Sequence, residues 1–464
     1  MAGTLQSGGV ALQPSAIKAT LPTNYITNYN FMNQYLPDTY EKEFEKYGNR
    51  SINSFLRQVG AELPSNSDLI KWEEQGRLHT KYVNVTTATV AGTDNATWTV
   101  ADSGITACNF RVGQTVFLSD NNNVALSDKA IITAVSGLTF TVAYYAAGGQ
   151  TIPAAAVSTA FVYGSEFKKG SNGMNGSLEA QPSIREVSPI IIKDKYEVSG
   201  SDMAQIGWVE VTTENGASGY LWYLKSEHET RLRYDDYIEM AMIEGVPAET
   251  NSGAINVTGD AGNKGTEGLF EAISTKGNVW SGGNPSVLND WDTIIQRLDK
   301  QGSIQENVLF VNRDFSFDID DMLATQNSYG VNGTSYGLFD NDENMALNLG
   351  FKGFKRGYEF YKTDWKYLND ATLRGGIKGG LVNGVLVPAG TMTVYDQVLG
   401  QNAKRPFLHV RYRASETEDR RYKTWMTGSA GGAQTSDLDA MQVNFLSERA
   451  LCTMGANNFV IFKG

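Results

Sequence analysis

Residues 219–245, GYLWYLKSEHETRLRYDDYIEMAMIEG, hold no proline and no internal glycine. Leu, Glu, Lys, Arg, Met and Ala fill much of the stretch, and all of them favour helix. Glu227 precedes Arg231 by four residues and Glu229 precedes Arg233 by four, the acid-first order that supports a helix. Ser218 can cap the start, and Gly245 followed by Pro247 stops it. The spacing predicts one helix of about 40 Å, longer than most in small domains. Its ends, residues 220–224 and 237–243, are apolar or aromatic, while its middle, 225–236, is mostly charged. A core helix carries one continuous apolar stripe. This pattern predicts a strut that packs at both ends and offers charges to neighbours between them. A surface helix with solvated ion pairs is the plainer alternative.

The other features of the chain have to fit around that helix. With 464 residues there is room for two or three domains with sizeable cores. No window approaches the apolar run of a membrane span, and the N-terminus shows no basic-then-apolar secretory pattern, so no membrane partner is expected. Cys108 and Cys452, the only cysteines, make neither a disulfide framework nor a zinc site, which fits a reducing compartment. Thirty-nine basic residues against fifty-one acidic ones give a net charge of −12, with no basic stripe. That balance argues against a protein that grips nucleic acid through phosphates, and is compatible with a shell that surrounds it.

In chain order, residues 1–37 are polar and then aromatic, and suit an extended arm ordered by lying on something else. Short helices are expected over 41–48 and 51–59, and a third opening at Ser67-Asp68 over DLIKWEEQGRLH. They suggest contacts with another chain, or a helical subdomain on the main body. From about 82 to 163 the texture changes to alternating strands (TWTVAD, QTVFLSD, KAIITAVSG, LTFTVAYY) separated by Gly, Asp and Asn turns. This predicts a small β-barrel or sandwich, serving either as a stabilising spacer or as a binding module. Two strand-like runs, 161–168 and 184–198, then flank a tip holding Gly170, Gly173 and Gly176, and suggest a long hairpin. The tip is not a phosphate cradle, because no Lys-Ser/Thr and helix follow it.

After Gly245 the texture becomes α/β. A short helix is expected over 265–275, and Ser286 caps VLNDWDTIIQRLDK, with Leu288, Trp291, Ile294, Ile295 and Leu298 on one face. A buried strand (NVLFV, 307–311) and a helix over 313–324 follow. Strands and turns return over 350–365 and 378–387, and long alternating runs close the chain from Pro406 onward.

This order of parts resembles the major capsid proteins of tailed bacteriophages, the Hong Kong 97-type fold. The wording of the hairpin, SLEAQPSIREVSPIIIKDKYEVSGSDM, and of the helix is most similar to capsid proteins of crAss-like gut phages. The resemblance covers nearly the whole chain but rests on order and texture, since no short motif defines the family. It implies an α+β fold with an N-terminal arm and helices (1–81), an inserted small β domain (82–163) and an extended hairpin (164–204). A peripheral domain with the spine helix (205–264), an axial α/β domain (265–400) and closing C-terminal strands (401–464) complete it. It also implies pentamers and hexamers tiling an icosahedral virion around double-stranded DNA, without sequence-specific contact, made in the bacterial host cytoplasm. Neighbouring subunits, and decoration, portal and scaffold proteins, are the implied partners. Lys168, Lys169, Arg185, Glu186, Lys193 and Asp194 of the hairpin, and Glu227, Glu229, Arg231 and Arg233 of the helix, become candidates for inter-subunit contacts. One capsid of this type joins subunits through a Lys–Asn isopeptide bond, and Lys168 or Lys169 with Asn457 or Asn458 occupy loosely suitable regions.

No enzyme signature competes strongly. His79, His228 and His409 are scattered, and no Gly-x-Ser-x-Gly, His-Glu-x-x-His or Walker pattern occurs. Asp318, Asp320 and Asp321 suit a helix N-terminus better than a metal, and no cofactor is expected. The alternatives are another virion component, such as a decoration, tail or portal-vertex protein, and a β-rich polysaccharide-acting enzyme with distant paired carboxylates.

Overall fold

The computed structural model describes residues 61–123, 125–178, 183–204, 211–212, 218–219, 222–250, 252–256, 262–327, 352–396, 401–432 and 434–464. The expected arm and the helices over 41–48 and 51–59 lie outside these residues. The described chain is a mixed α/β protein with a closed six-stranded barrel. It divides into two units, Trp72–Arg185 and, together, the described residues up to Lys71 and Glu186–Gly464.

The barrel contains the alternating runs that the sequence displays. Lys81–Thr87, Asn95–Val100, Thr139–Tyr144, Ser127–Ser136, Gln114–Asp120 and Ser158–Ser165 pair in that order around the ring, and the last pairs again with the first. In Asn95–Val100 the residues Ala96, Trp98 and Val100 point inward and their neighbours outward. Trp98, Val116, Leu118, Ile132, Phe140 and Val142 form the centre of the core. Closure leaves no edge strand to template aggregation. Several buried polar groups are matched. Trp98 Nε1 donates to the Tyr144 hydroxyl at 2.9 Å, and the Asp128 carboxylate accepts from the Thr151 amide and hydroxyl at 2.9 and 2.7 Å.

The other unit holds two sheets. In the first, Ala61–Ser65, Leu408–Arg413, Ala440–Thr453 and Ile190–Ser199 lie side by side, and Lys423–Gly428 also pairs with Ala440–Thr453. The fourteen-residue strand Ala440–Thr453 is buried at all but two positions, as expected at a sheet centre. The long helix, Trp222–Glu244, packs on this sheet. Its Tyr234 stacks on Phe445 with ring centres 5.5 Å apart, meets Tyr422 edge-on, and donates its hydroxyl to the Ile192 carbonyl at 3.2 Å.

In the second sheet the order is Asn278–Trp280, Val460–Lys463, Val382–Pro388, Glu306–Val311, Tyr358–Asp364, Gly353–Arg356. One face packs on helices Leu288–Gln301 and Arg313–Asn327 through Trp291, Ile294, Leu298, Phe315 and Ile319. The other packs on helix Leu269–Lys276 and on the C-terminal end of the long helix, through Met242, Ile243, Phe270 and Ile273. Strand Val382–Pro388 is covered on both faces and buried at all seven positions. The last residues bind the two sheets together, since Ala440–Thr453 centres one and Val460–Lys463 lies inside the other.

Several local expectations are corrected. Ile70–Glu74 is a strand, not a helix, with Ile70, Trp72 and Glu74 on the more buried side. Ser67 closes a local turn on Leu69 instead of opening a helix. Ser218 belongs to a two-stranded pairing with Val211–Thr212, and the long helix begins at Trp222. Ser286 stands one residue too early, because Val287 is the N-cap of Leu288–Gln301.

The hairpin expected between 161–168 and 184–198 does not form. Ser158–Ser165 pairs with Lys81–Thr87 on one side and Gln114–Asp120 on the other, so its backbone groups are already used in the barrel. Ile190–Ser199 pairs with Ala440–Thr453, and Ser183–Val187 pairs with Ile70–Glu74. In sequence the barrel and the glycine-rich loop therefore lie between the two strands of that short ladder.

Candidate interaction surfaces

The residues expected to make contacts fall into three places. Arg185 and Glu186 lie on the two-stranded ladder, where Arg185 Nε is 3.2 Å from Glu74 Oε2 and Glu186 Oε2 is 3.1 Å from Lys71 Nζ. Ladder and charges reinforce one another, because each strand supplies one acid and one base. Lys71 and Glu74 were missed in the sequence, since a helical reading of IKWEE hides the period-two alternation that sets them on a strand.

Lys168 and Lys169 stand exposed on the loop that follows the barrel. The Ser171 amide and hydroxyl both donate to the Lys168 carbonyl, at 3.2 and 2.6 Å, and tighten the turn. The loop is tied back to the barrel by Arg111 Nη1, which donates to the Gly176 carbonyl at 2.9 Å. Lys193 is exposed on Ile190–Ser199, an edge strand of its sheet among the described residues, and Asp194 alternates with it opposite Phe445.

On the long helix the arrangement differs from the expected strut. Between Tyr223 and Glu244 only Leu224, Arg231 and Tyr237 are exposed, and Thr230, Tyr234, Ile238 and Met242 form a buried stripe at four-residue spacing. The charged middle therefore packs as well. Glu229 pairs with Lys225 at 3.7 Å, and Arg231 lies 5.8 Å from the ring centre of Tyr422 in place of a pair with Glu227. The reason is the sheet below, which offers an aromatic face where an exposed helix would offer only water. At the C-terminal end, Glu244 opposes the helix dipole. Arg374 at 3.2 Å and the Tyr367 hydroxyl at 2.7 Å compensate it.

A network invisible in the sequence fastens strand Ala61–Ser65. Arg449, buried at the sheet centre, reaches Glu62 at 3.3 Å and donates to the Arg421 carbonyl at 2.8 Å. Arg420 pairs with Glu448 at 2.6 Å, and Arg413 pairs with both Glu448 and Asp68. The Arg413 guanidinium holds the Asp68 carboxyl below its ordinary range.

Several residues of catalytic type among those described make structural contacts. His409 and Cys452 face each other across neighbouring strands, a juxtaposition that could suggest a nucleophile pair. Burial pushes the Cys452 thiol up to about 12 and His409 down to about 4, so both are held neutral, the opposite of an activated thiolate–imidazolium pair. Asp320 pairs with Lys362 at 2.5 Å, and Asp318 accepts from Asn284 at 2.7 Å. Among the described residues no cluster of three or more His, Cys, Asp or Glu is placed to hold a metal, and no helix is long and apolar enough to cross a membrane. Asn458 is buried with its amide bonded to Ile304 and Gly455, and Asn457 donates to the Gln301 carbonyl at the end of its helix.

No protein-family model and no curated protein matches the chain. Among solved structures, it is similar to a chain of Microbacterium phage Oxtober96, with 10% identity over 92% of this chain and 96% of that one, at a TM-score of 0.39. It is similar also to the capsid of a native GTA particle, with 9% identity over 96% of this chain and 99% of that one, at 0.37. A third is the mature capsid of bacteriophage PhiM1, with 9% identity over 64% of this chain and 77% of that one, at 0.32.

Proposed function

We propose that this chain is a major capsid protein of a tailed bacteriophage, of the Hong Kong 97 type and closest in character to those of crAss-like phages. In this reading it assembles into pentamers and hexamers that enclose double-stranded DNA in an icosahedral head. The observation that supports it best is the ladder of Ile70–Glu74 and Ser183–Val187. Among the described residues these strands pair only with each other. A two-stranded ribbon is marginal in water without a third strand or a covering surface. Ile184 on this ribbon is 62% exposed. A neighbouring subunit is the cover that the reading supplies, through heterologous contacts that close into rings.

The order of parts agrees with that role: an extended two-stranded loop, a long helix, an α/β domain and closing strands shared between two sheets. Lys168, Lys169 and Lys193, exposed on loop and edge strand, are the charged contacts assigned to neighbours. The net charge of −12 suits a shell that encloses DNA without gripping it. Native mass spectrometry of the purified chain tests the reading. Pentamers or hexamers are expected, and a chain that stays monomeric over the whole usable concentration range contradicts it.

A further inference from the structure

The outer wall of the barrel carries a feature that the assembly reading does not use. An open cleft of about 580 Å³ lies there, lined among others by Thr115, Lys129, Tyr145, Tyr163, Gly164 and Glu166. Tyr145 and Tyr163 are 50% and 48% exposed. Each ring has a polar neighbour: the Tyr145 hydroxyl donates to Glu166 at 2.6 Å, and Lys129 Nζ lies 5.9 Å from the centre of the Tyr163 ring. Thr115 is only 4% exposed, and its Oγ1 is buried without a hydrogen-bond partner among the described residues. Gly164, its cross-strand partner, adds no side chain above it; a Cβ there would stand 3.2 Å from that oxygen.

A buried hydroxyl left unpaired is costly and marks a place where a polar ligand atom would be welcome. Half-exposed tyrosine rings offer flat apolar faces with wet edges. One cation and one carboxylate on the same rim favour neither an anionic nor a cationic ligand. We propose that this cleft binds a pyranose unit of a neutral glycan. The C–H face of the sugar rests on a tyrosine ring, and its hydroxyls bond to Glu166, Lys129 and the Thr115 hydroxyl. The few convergent polar groups among aromatic walls are the pattern of a small-ligand site.

The test uses the full-length protein and three probes, maltotriose, cellotriose and tri-N-acetylchitotriose, by titration calorimetry. At least one is expected to bind with Kd of about 1 mM or tighter. Tyr145→Ala and Tyr163→Ala should each weaken it about tenfold or more, and the isosteric Thr115→Val, which removes an unpaired buried hydroxyl and should not lower the melting temperature, about three- to tenfold. Three results overturn the proposal: no binding of any probe at about 10 mM, binding that none of these substitutions weakens, or tyrosine substitutions that change only the association of subunits. The last would make the wall a protein-docking face.

Discussion

At the scale of single residues, burial decides what ionisable groups do in this protein. His409 is held neutral to about pH 4, whereas in an unfolded chain it titrates near 6.5. Between those values the unfolded chain binds the extra proton, so its contribution to stability is full above pH 6.5 and is lost as pH falls toward 4. The loss amounts to about 3 kcal/mol. Urea unfolding at pH 7 and pH 4.5 should therefore show a smaller pH-induced loss in His409→Gln than in the native protein, and equal losses would refute the account. Arg449 makes the complementary case, a buried cation whose carboxylate comes from Glu62, 387 residues away in the chain. Glu62→Gln should cost about 1–3 kcal/mol in a denaturant titration, below the full penalty of a broken buried pair because Glu62 is partly solvated. Gly149 is a third case. It has a φ of +59°, and a Cβ there would stand 1.8 Å from the Thr93 carbonyl oxygen. Gly149→Ala should lower barrel stability by about 2 kcal/mol or more, read as a shift of the urea midpoint.

At the scale of elements, the inter-subunit role proposed for the exposed loop after the barrel can be tested apart from folding. Reversing Lys168 and Lys169 to Glu removes no hydrogen bond made by their side chains among the described residues, so circular dichroism and melting should be unchanged. Assembly should fall sharply, and normal particles from that double variant would count against the contacts assigned here. Elements with a strong local period were legible in the sequence. The barrel strands alternate cleanly between turn residues, and the helix over Leu288–Gln301 shows its apolar face in Trp291, Ile294 and Leu298. Pairing partners were not legible. A run such as IIIKDKYEVS announces a strand, yet its partner lies about 250 residues onward, and hydrogen bonding to Ala440–Thr453 leaves no trace in local composition. The misread hairpin and the misread helix at Ile70–Glu74 share this cause. So does the long helix, whose half-buried middle packs on Tyr422 and Phe445, both distant in sequence.

For the whole molecule, the presence of a β module, a long helix and an α/β region was legible in the sequence, while strand pairing across the chain was not. The sequence separates a β module, a long helix and an α/β region because each has its own texture. It placed the β module ahead of the expected hairpin, whereas the paired strands at 70–74 and 183–187 bracket the module in chain order. The candidate charges divide between ladder, loop and edge strand. Arg185 and Glu186 already have partners on the ladder, and Lys168, Lys169 and Lys193 remain exposed. The central claim is that this chain builds a closed shell. Electron microscopy of particles purified after expression of the chain with its genomic neighbours tests it most directly. The account predicts hollow shells with pentamers at the fivefold vertices and hexamers between them. Only monomers, or open aggregates without five- and sixfold rings, would contradict it.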